Sequence, residues 1–555
     1  MRISTGTTPI SEVDIGICPT NLCKVVAAAN DDTLGPHKIF YSSDCGLTWH
    51  LTTNMDAFQT DHSYIHPSID WTSNQRVWLI TVEPSGSGTS SLRCYYSDDT
   101  GETWNQDRTF LSDPLVVDQP AIQSPRMWID SSPDSPFRDT IYLIWGNNNS
   151  VYVKSRNPHF ETWRSAFQLD SQSTGLVSGC DIKTDNITGK VGAFWHDTGS
   201  KNLFVSTSIV NNLLNGPLFE PAIIIASTIA SSDIAIPSCA SHKAAISISA
   251  VVTSEQAYAV WADLAEASGC DSASSGSVVD VASSCKTRVW FAKSEPSGWI
   301  AKPINTGQSL NDEFHPRLFQ DAYTGTLVVV YYDTIDDPGR RMTDVWMKTS
   351  EDQGKSWSLG DKMTSGQTNE TISGANNYQY GDYLGISGQN GFFFAAWTDR
   401  RGGLAEQIWA KRFRIPPIAE PCGVDPILTS AKITFNTTTQ NKDHNSLIEV
   451  TIKTIYTGEY VGYLNNPGDI EFTEHSSNQY PLTLEGFWIT RSRLQRGSVK
   501  IDFVPTGGLG NDKWKFNFSL DFTFTNGDSM HLETPSEITL TGDTQTTIFD
   551  MSSLI

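Results

Sequence analysis

Short apolar runs that end in a small or aromatic residue, followed by an acid or amide, punctuate the first 400 positions of the chain. They read AAAND to residue 31, LITVE to 83, LIWGN to 147, AFWHD to 197, AVWAD to 263, VVYYD to 333 and AAWTD to 399. Apolar runs of this length, bounded by turn residues, predict strands covered on both faces. Their mean spacing of about 61 residues suits a four-stranded unit with generous loops, repeated seven times. No sustained 3.6-residue apolar period accompanies them, which excludes helical repeats. Residues 1–415 are therefore expected to form an all-β propeller of seven blades, or of six if one copy is accidental.

Two polar patterns flank these runs. Ahead of them lie the tetrapeptides HPSI (66–69), QPAI (119–122), GCDI (179–182), HPRL (315–318) and GDYL (381–384). Each has the composition of a strand entrance, where a proline's missing amide is harmless. Aligned on one another, they place Ser68, Ala121, Asp181, Arg317 and Tyr383 at equivalent positions, expected to converge on the propeller axis. Behind the runs comes Ser-x-Asp-x-Gly-x-Ser/Thr-Trp, at 42–49, 97–104 and 350–357, with a weakened copy, SRNPHFETW, at 155–163. Asp can accept amide hydrogens across a tight turn, Gly supplies a positive φ and Trp packs beneath. This motif predicts a structural turn between the third and fourth strands of a blade.

The pattern changes after residue 415. RIPPIAEPCGVDP (414–426) carries four prolines and marks a boundary, giving a linker over 416–428. Beyond it, Trp514, Phe516, Phe518, Leu520, Phe522 and Phe524 alternate with polar residues, a strict period of two that predicts a strand ended by the Asn526-Gly527 turn. With SLIEVTIKT and SVKIDFVP it predicts an antiparallel β-sandwich over 429–555.

Charge and cysteine content narrow the function. The chain has 39 basic and 62 acidic residues, a formal charge of −23, and no run of Lys or Arg that would track a phosphate backbone, so nucleic acid is not an expected partner. No segment reaches the ~18 consecutive apolar residues of a membrane span. Of nine cysteines, Cys18 with Cys23 and Cys270 with Cys285 are near enough in sequence to staple loops, although spacing alone does not assign pairs. With no CxxC or HxxxH, no metal or other cofactor is expected. NKDHNS (441–446) and the acids Asp333, Asp336 and Asp337 read as polar turns rather than Ca²⁺ loops.

The repeated turn is the Asp box, and through it the first 415 residues resemble the sialidase (neuraminidase) superfamily, also called the bacterial neuraminidase repeat family. The resemblance implies three arginines on a sugar carboxylate, a tyrosine nucleophile polarised by a carboxylate, and an acid/base aspartate. The family's first arginine lies in an Arg-Ile-Pro segment at the start of the propeller, whereas the only such segment here is Arg414 to Pro416. Arg317 followed one blade later by Tyr383 matches the last arginine and the nucleophile. Glu313 or Asp382 would then polarise Tyr383, and Asp181 or Asp61 would donate a proton, with His66, His315 and Tyr380 as further substrate-binding groups. The expected function is an extracellular glycan-active protein, secreted or on the cell surface, and most concretely a sialidase-like exo-glycosidase for acidic glycans. The alternatives are a lectin or adhesin, and a polysaccharide lyase using His66, His315, Tyr380 and Tyr383.

Overall fold

The structure is a computed structural model. It describes the chain except residues 34, 54–57, 59–61, 86, 121, 159–161, 171–172, 211–215, 232, 240, 266–284, 306–309, 323, 390, 402–404, 416–427, 443–445, 454–459, 466–470, 485–490, 492–493, 495–496, 505–512, 525–527, 542–544, 552–553 and 555. Asp61, Ala121, most of the proline-rich stretch and the Asn526-Gly527 turn thus lie outside the described residues.

All seven apolar runs are strands, and each is the second strand of its own antiparallel sheet: Val25–Asp31, Val77–Pro84, Ile141–Asn147, Val191–Asp197, Ala257–Leu264, Leu327–Asp333 and Phe392–Asp399. Nearly every residue in them is buried, because each strand is covered by neighbouring sheets on both faces. The first strands are Ile10–Ile17, Ile65–Trp71, Ile122–Ile129, Val177–Thr184, Ser249–Val252, Glu313–Gln320 and Gly385–Gln389. Each touches the next, and Gly385–Gln389 returns to touch Ile10–Ile17, so the seven first strands close a ring. The last sheet has three strands, Gly385–Gln389, Phe392–Asp399 and Gln407–Arg414, and the chain start completes it: Arg2 bridges Trp409, and Met1 and Ala410 exchange backbone hydrogen bonds.

The first strands present unpaired backbone edges to one another, and side chains satisfy the amides there. Asp14 accepts from the Ile69 amide at 3.0 Å, Ser68 from Met127 at 3.1 Å, Asp70 from Ile129 at 2.7 Å, Asp181 from Ala250 at 2.8 Å and Ser249 from Leu318 at 3.0 Å.

The repeated turns join third strand to fourth, at 42–49, 97–104 and 350–357. In the first, Ser42 donates to Asp44 at 2.8 Å, Thr48 donates to the other Asp44 oxygen at 2.6 Å, and the Gly46 amide donates to Ser42 at 2.9 Å. Gly46, Gly101 and Gly354 have φ of 74°, 90° and 78°, and a Cβ at Gly46 or Gly354 would collide with Phe394 or Phe291 of the preceding sheet. Cys23 is bonded to Cys45 of the first turn, and Cys18 is a buried free thiol, so of the pairings that spacing left open Cys23 takes a longer loop closure than one to Cys18. Cys285 is also in a disulfide.

The chain divides into two compact units, Met1–Pro416 and Pro417–Ile555. The second contains two antiparallel sheets, one built on Leu428–Gln440 and Lys513–Phe524, the other on Leu447–Lys453 and Ser498–Val504. They share one apolar core, in which Trp514, Phe516, Phe518, Leu520, Phe522 and Phe524 are buried. The period of two in Lys513–Phe524 thus reports a strand with one covered face.

Candidate functional site at the ring of first strands

A bulge recurs near the start of the first strands. Register breaks between Ser11 and Val13, Ile65 and Ser68, Gln123 and Arg126, Ser178 and Asp181, and Phe314 and Arg317. The residue opening each bulge is left-handed: φ is 54° at Glu12, 57° at His66, 46° at Ser124, 58° at Gly179 and 48° at His315, with Gly381 at 71° in the seventh unit. Five non-identical bulges with one conformation are a designed feature, because left-handed non-glycine residues are strained and bulges re-aim side chains. Two residues further on stand Asp14, Ser68, Arg126, Asp181, Arg317 and Tyr383. Ser249 is their counterpart in the fifth sheet, because it makes the same side-chain bond to the next strand.

This ring corrects the sequence alignment. QPAI precedes the bulge of the third sheet, and the true counterpart of HPRL is Ser124-Pro125-Arg126-Met127, so Arg126 takes the place assigned to Ala121. The signal was present, since SPRM repeats the x-Pro-x-apolar spelling of HPSI and HPRL.

Arg126 and Arg317 flank Tyr383. The Arg126 guanidinium carbon lies 3.5 Å from the Tyr383 ring centroid and that of Arg317 lies 6.0 Å away. Both arginines are buried, at 3% and 7% exposure, yet Nε and Nη1 of each have no hydrogen-bond partner among the described residues. The nearest carboxylate to Arg317 is Asp14, at 4.0 Å. Unpaired buried donors on fixed cations cost free energy, and an anion is the group that such guanidinium forks pair with most strongly. The Tyr383 hydroxyl donates to the Pro67 carbonyl at 2.7 Å, and burial together with the neighbouring Glu12 charge raises the phenol well above its ordinary range.

A second charged layer lies at the bulge residues. His66 Nδ1 bonds Glu12 at 2.5 Å and stands 3.9 Å from Asp382, while His242 Nε2 bonds the other Asp382 oxygen at 2.7 Å. Burial alone would lower the His66 pKa, but Glu12 and Asp382 outweigh it and lift it to about 8. Burial works in the opposite sense on Asp382, and His242 and His66 overcome it to hold that carboxyl well below its ordinary range. His315 is pushed down to about 3 by burial, and its Nε2 accepts the Ala245 amide at 3.2 Å.

The remaining expected groups lie elsewhere or are already committed. Glu313 accepts from the Val289 amide at 3.0 Å and from Asn305 at 2.9 Å, beside Arg288 of the fifth sheet, so Glu12 rather than Glu313 neighbours Tyr383. In a regular strand residues 313 and 317 would share a face, but the bulge between them separates the two directions. Tyr380 packs between Phe314 and Tyr332, with ring centroids 5.2 and 4.9 Å away, and contacts Thr343, so it belongs to an aromatic core. Asp181 is bound by the Ile182 and Ala250 amides and lies 3.2 Å from Lys183. On the side toward Lys183 a cavity of about 110 Å³ is lined by Asp14, Asp70, Trp128, Lys183, Arg317 and Gln389.

No protein-family model matches the chain, and no curated protein matches it. Solved structures with a likeness include a Penicillium chrysogenum α-L-arabinanase complexed with arabinobiose, at 11% identity over 63% of this chain and 93% of that one, TM-score 0.37. A leech intramolecular trans-sialidase is similar at 11% identity over 59% and 65%, TM-score 0.38. The Aleuria aurantia lectin in complex with α-methyl-L-fucoside is similar at 8% identity over 65% and 98%, TM-score 0.32. Such low scores mean that none of these chains superposes closely on this one.

Proposed function

We propose that the first unit is a seven-bladed Asp-box propeller, running to about residue 415, that binds an acidic sugar at its axis, and that the second is a β-sandwich accessory module. The observation that carries this reading is the pair of buried guanidinium forks, Arg126 and Arg317, each with unpaired N–H groups and both beside Tyr383. A sugar carboxylate would satisfy both forks and bring the anomeric carbon toward the phenol. In the enzymatic form of this reading the protein is a secreted, sialidase-like exo-glycosidase. Tyr383 attacks the anomeric carbon as the glycosidic C–O bond breaks, Glu12 takes the phenolic proton and the departing aglycone oxygen takes one from water; a second water then displaces the tyrosine oxygen, which regains its proton from Glu12, with net retention.

A lectin is the second reading, favoured by two observations: the Tyr383 hydroxyl is committed to Pro67, and the Asp181 carboxylate to two amides and Lys183. A panel of acidic and neutral glycans, screened for binding and then weighed for loss of a terminal sugar, separates the two. Acidic-glycan binding with mass loss supports the glycosidase, and binding with intact glycans supports the lectin. Absence of acidic-glycan binding overturns both.

A further inference from the structure

Glu12, His66 and Asp382, brought from the first, second and seventh repeats, each place one donor atom within 4.8 Å of the others. Around a divalent ion with bonds of about 2.1 Å, adjacent donors stand about 3.0 Å apart and opposite ones about 4.2 Å. The His66–Asp382 pair, at 3.9 Å, falls within that span, and the His66–Glu12 pair, at 2.5 Å, is a hydrogen bond whose proton the ion would displace as the two atoms part. We propose that these three side chains bind a divalent cation of the Zn²⁺ or Mn²⁺ class. One imidazole with two carboxylates favours such an ion over Ca²⁺, which takes six to eight oxygens.

The surroundings are those of ligands held in place. Asn30 donates to the second Glu12 oxygen at 3.1 Å, and His242 engages the second Asp382 oxygen at 2.7 Å, so each carboxylate is oriented from behind while its other oxygen faces His66. His315 supplies an independent indication. It occupies the bulge position equivalent to Glu12 and His66, is 1% exposed, and interacts electrostatically with Asp382. Because its Nε2 accepts an amide hydrogen, the neutral ring carries its proton on Nδ1, and that buried donor has no partner among the described residues. An oxygen ligand on the ion, whether water or a sugar hydroxyl, is the acceptor it lacks. Three protein ligands leave coordination positions open for such a molecule.

The proposal shares Glu12 with the enzymatic reading, where a bound ion would take that carboxylate in place of the phenolic proton, and it is tested without sugar. The chelator-stripped full chain is titrated calorimetrically with Zn²⁺, Mn²⁺ and Ca²⁺. Expected is one equivalent of Zn²⁺ or Mn²⁺ bound at least tenfold more tightly than Ca²⁺. His66→Gln and Asp382→Asn should each weaken binding about 100-fold, while His531→Gln in the second unit leaves it unchanged. Should either axial variant fail to fold, histidine-selective NMR of the unaltered chain decides, with the His66 ring signals expected to shift at one equivalent of Zn²⁺. No binding at about 1 mM ion, binding that survives both axial substitutions, or unmoved His66 signals overturns the proposal and leaves an ion-free imidazole–carboxylate cluster.

Discussion

The rim turns and the axial ring use the same residue types to opposite ends. At the rim, Asp44 accepts hydrogens from the Ser42 and Thr48 side chains and the Thr48 amide, and those bonds hold its carboxyl down at about 2. On the first strands, Asp70 is raised to about 7, because burial outweighs the amide bonds it accepts. Rim groups satisfy one another within eight residues, whereas Arg126 and Arg317 hold buried N–H groups with no hydrogen-bond partner among the described residues. Repetition therefore marks the scaffold, and departures from it, such as Arg or Tyr where other repeats carry Asp or Ser, mark the candidate site.

Exchanging Tyr383, the proposed nucleophile, sharpens this contrast most. Tyr383→Phe is expected to reduce hydrolysis of an acidic glycoside by at least about 10³-fold while glycan affinity, measured calorimetrically, changes less than about threefold. Unchanged turnover removes Tyr383 from the mechanism. Arg126→Met and Arg317→Met should each cost about 10²-fold in affinity for the acidic ligand without lowering thermal stability, since an unpaired buried charge is exchanged for an apolar chain of similar length. A matching fall in melting temperature would assign both arginines a structural role.

Rim substitutions should do the reverse, lowering stability and sparing affinity. Gly354→Ala meets both a positive φ and the Phe291 ring, and is expected to cost about 2–3 kcal/mol in denaturant titration. Asp99→Ala removes the bonds from Ser97 and Thr103 and should cost about 1–2 kcal/mol. Either change becoming a binding defect would end the separation of rim from axis.

The smallest effect is in pH. Asp70 and Asp130 have folded pKa values raised to about 7, so in the folded state they keep protons that the unfolded chain releases near pH 4. Stability from these groups is complete below the unfolded value and is lost as pH rises through 7, by about 1 kcal/mol per group between pH 6 and 8. Asp70→Asn should flatten that slope in melts taken across the range, and an unaltered slope excludes Asp70 as its source.

Much of the scaffold was legible in the sequence because its causes are local. The seven apolar runs are the seven second strands, and the alternation over Lys513–Phe524 is a one-faced strand. The tetrapeptides that preserve the strand entrance single out Arg317 and Tyr383, and the two lie together, the Arg317 guanidinium carbon 6.0 Å from the Tyr383 ring centroid. Arg126 was missed through alignment on the wrong proline, although SPRM carried the right spelling. Glu12 and His242 had no comparable signal, and Glu313 was misdirected because a bulge changes which face a residue occupies without leaving a fixed letter in the sequence.

By itself, then, the sequence determined the repeat, the hydrogen-bonded turns and the covered strands, all of which depend on residues within a few positions of one another. Only the tertiary structure decided the site. Closing seven sheets into a ring brings residues 12, 66, 126, 317 and 382–383 to one axis, and a bulge of one residue in five of the first strands helps decide which side chains reach it. Local periodicity carries no record of ring closure, so separations of more than 300 residues collapse to a few ångströms only when the last sheet finds the first.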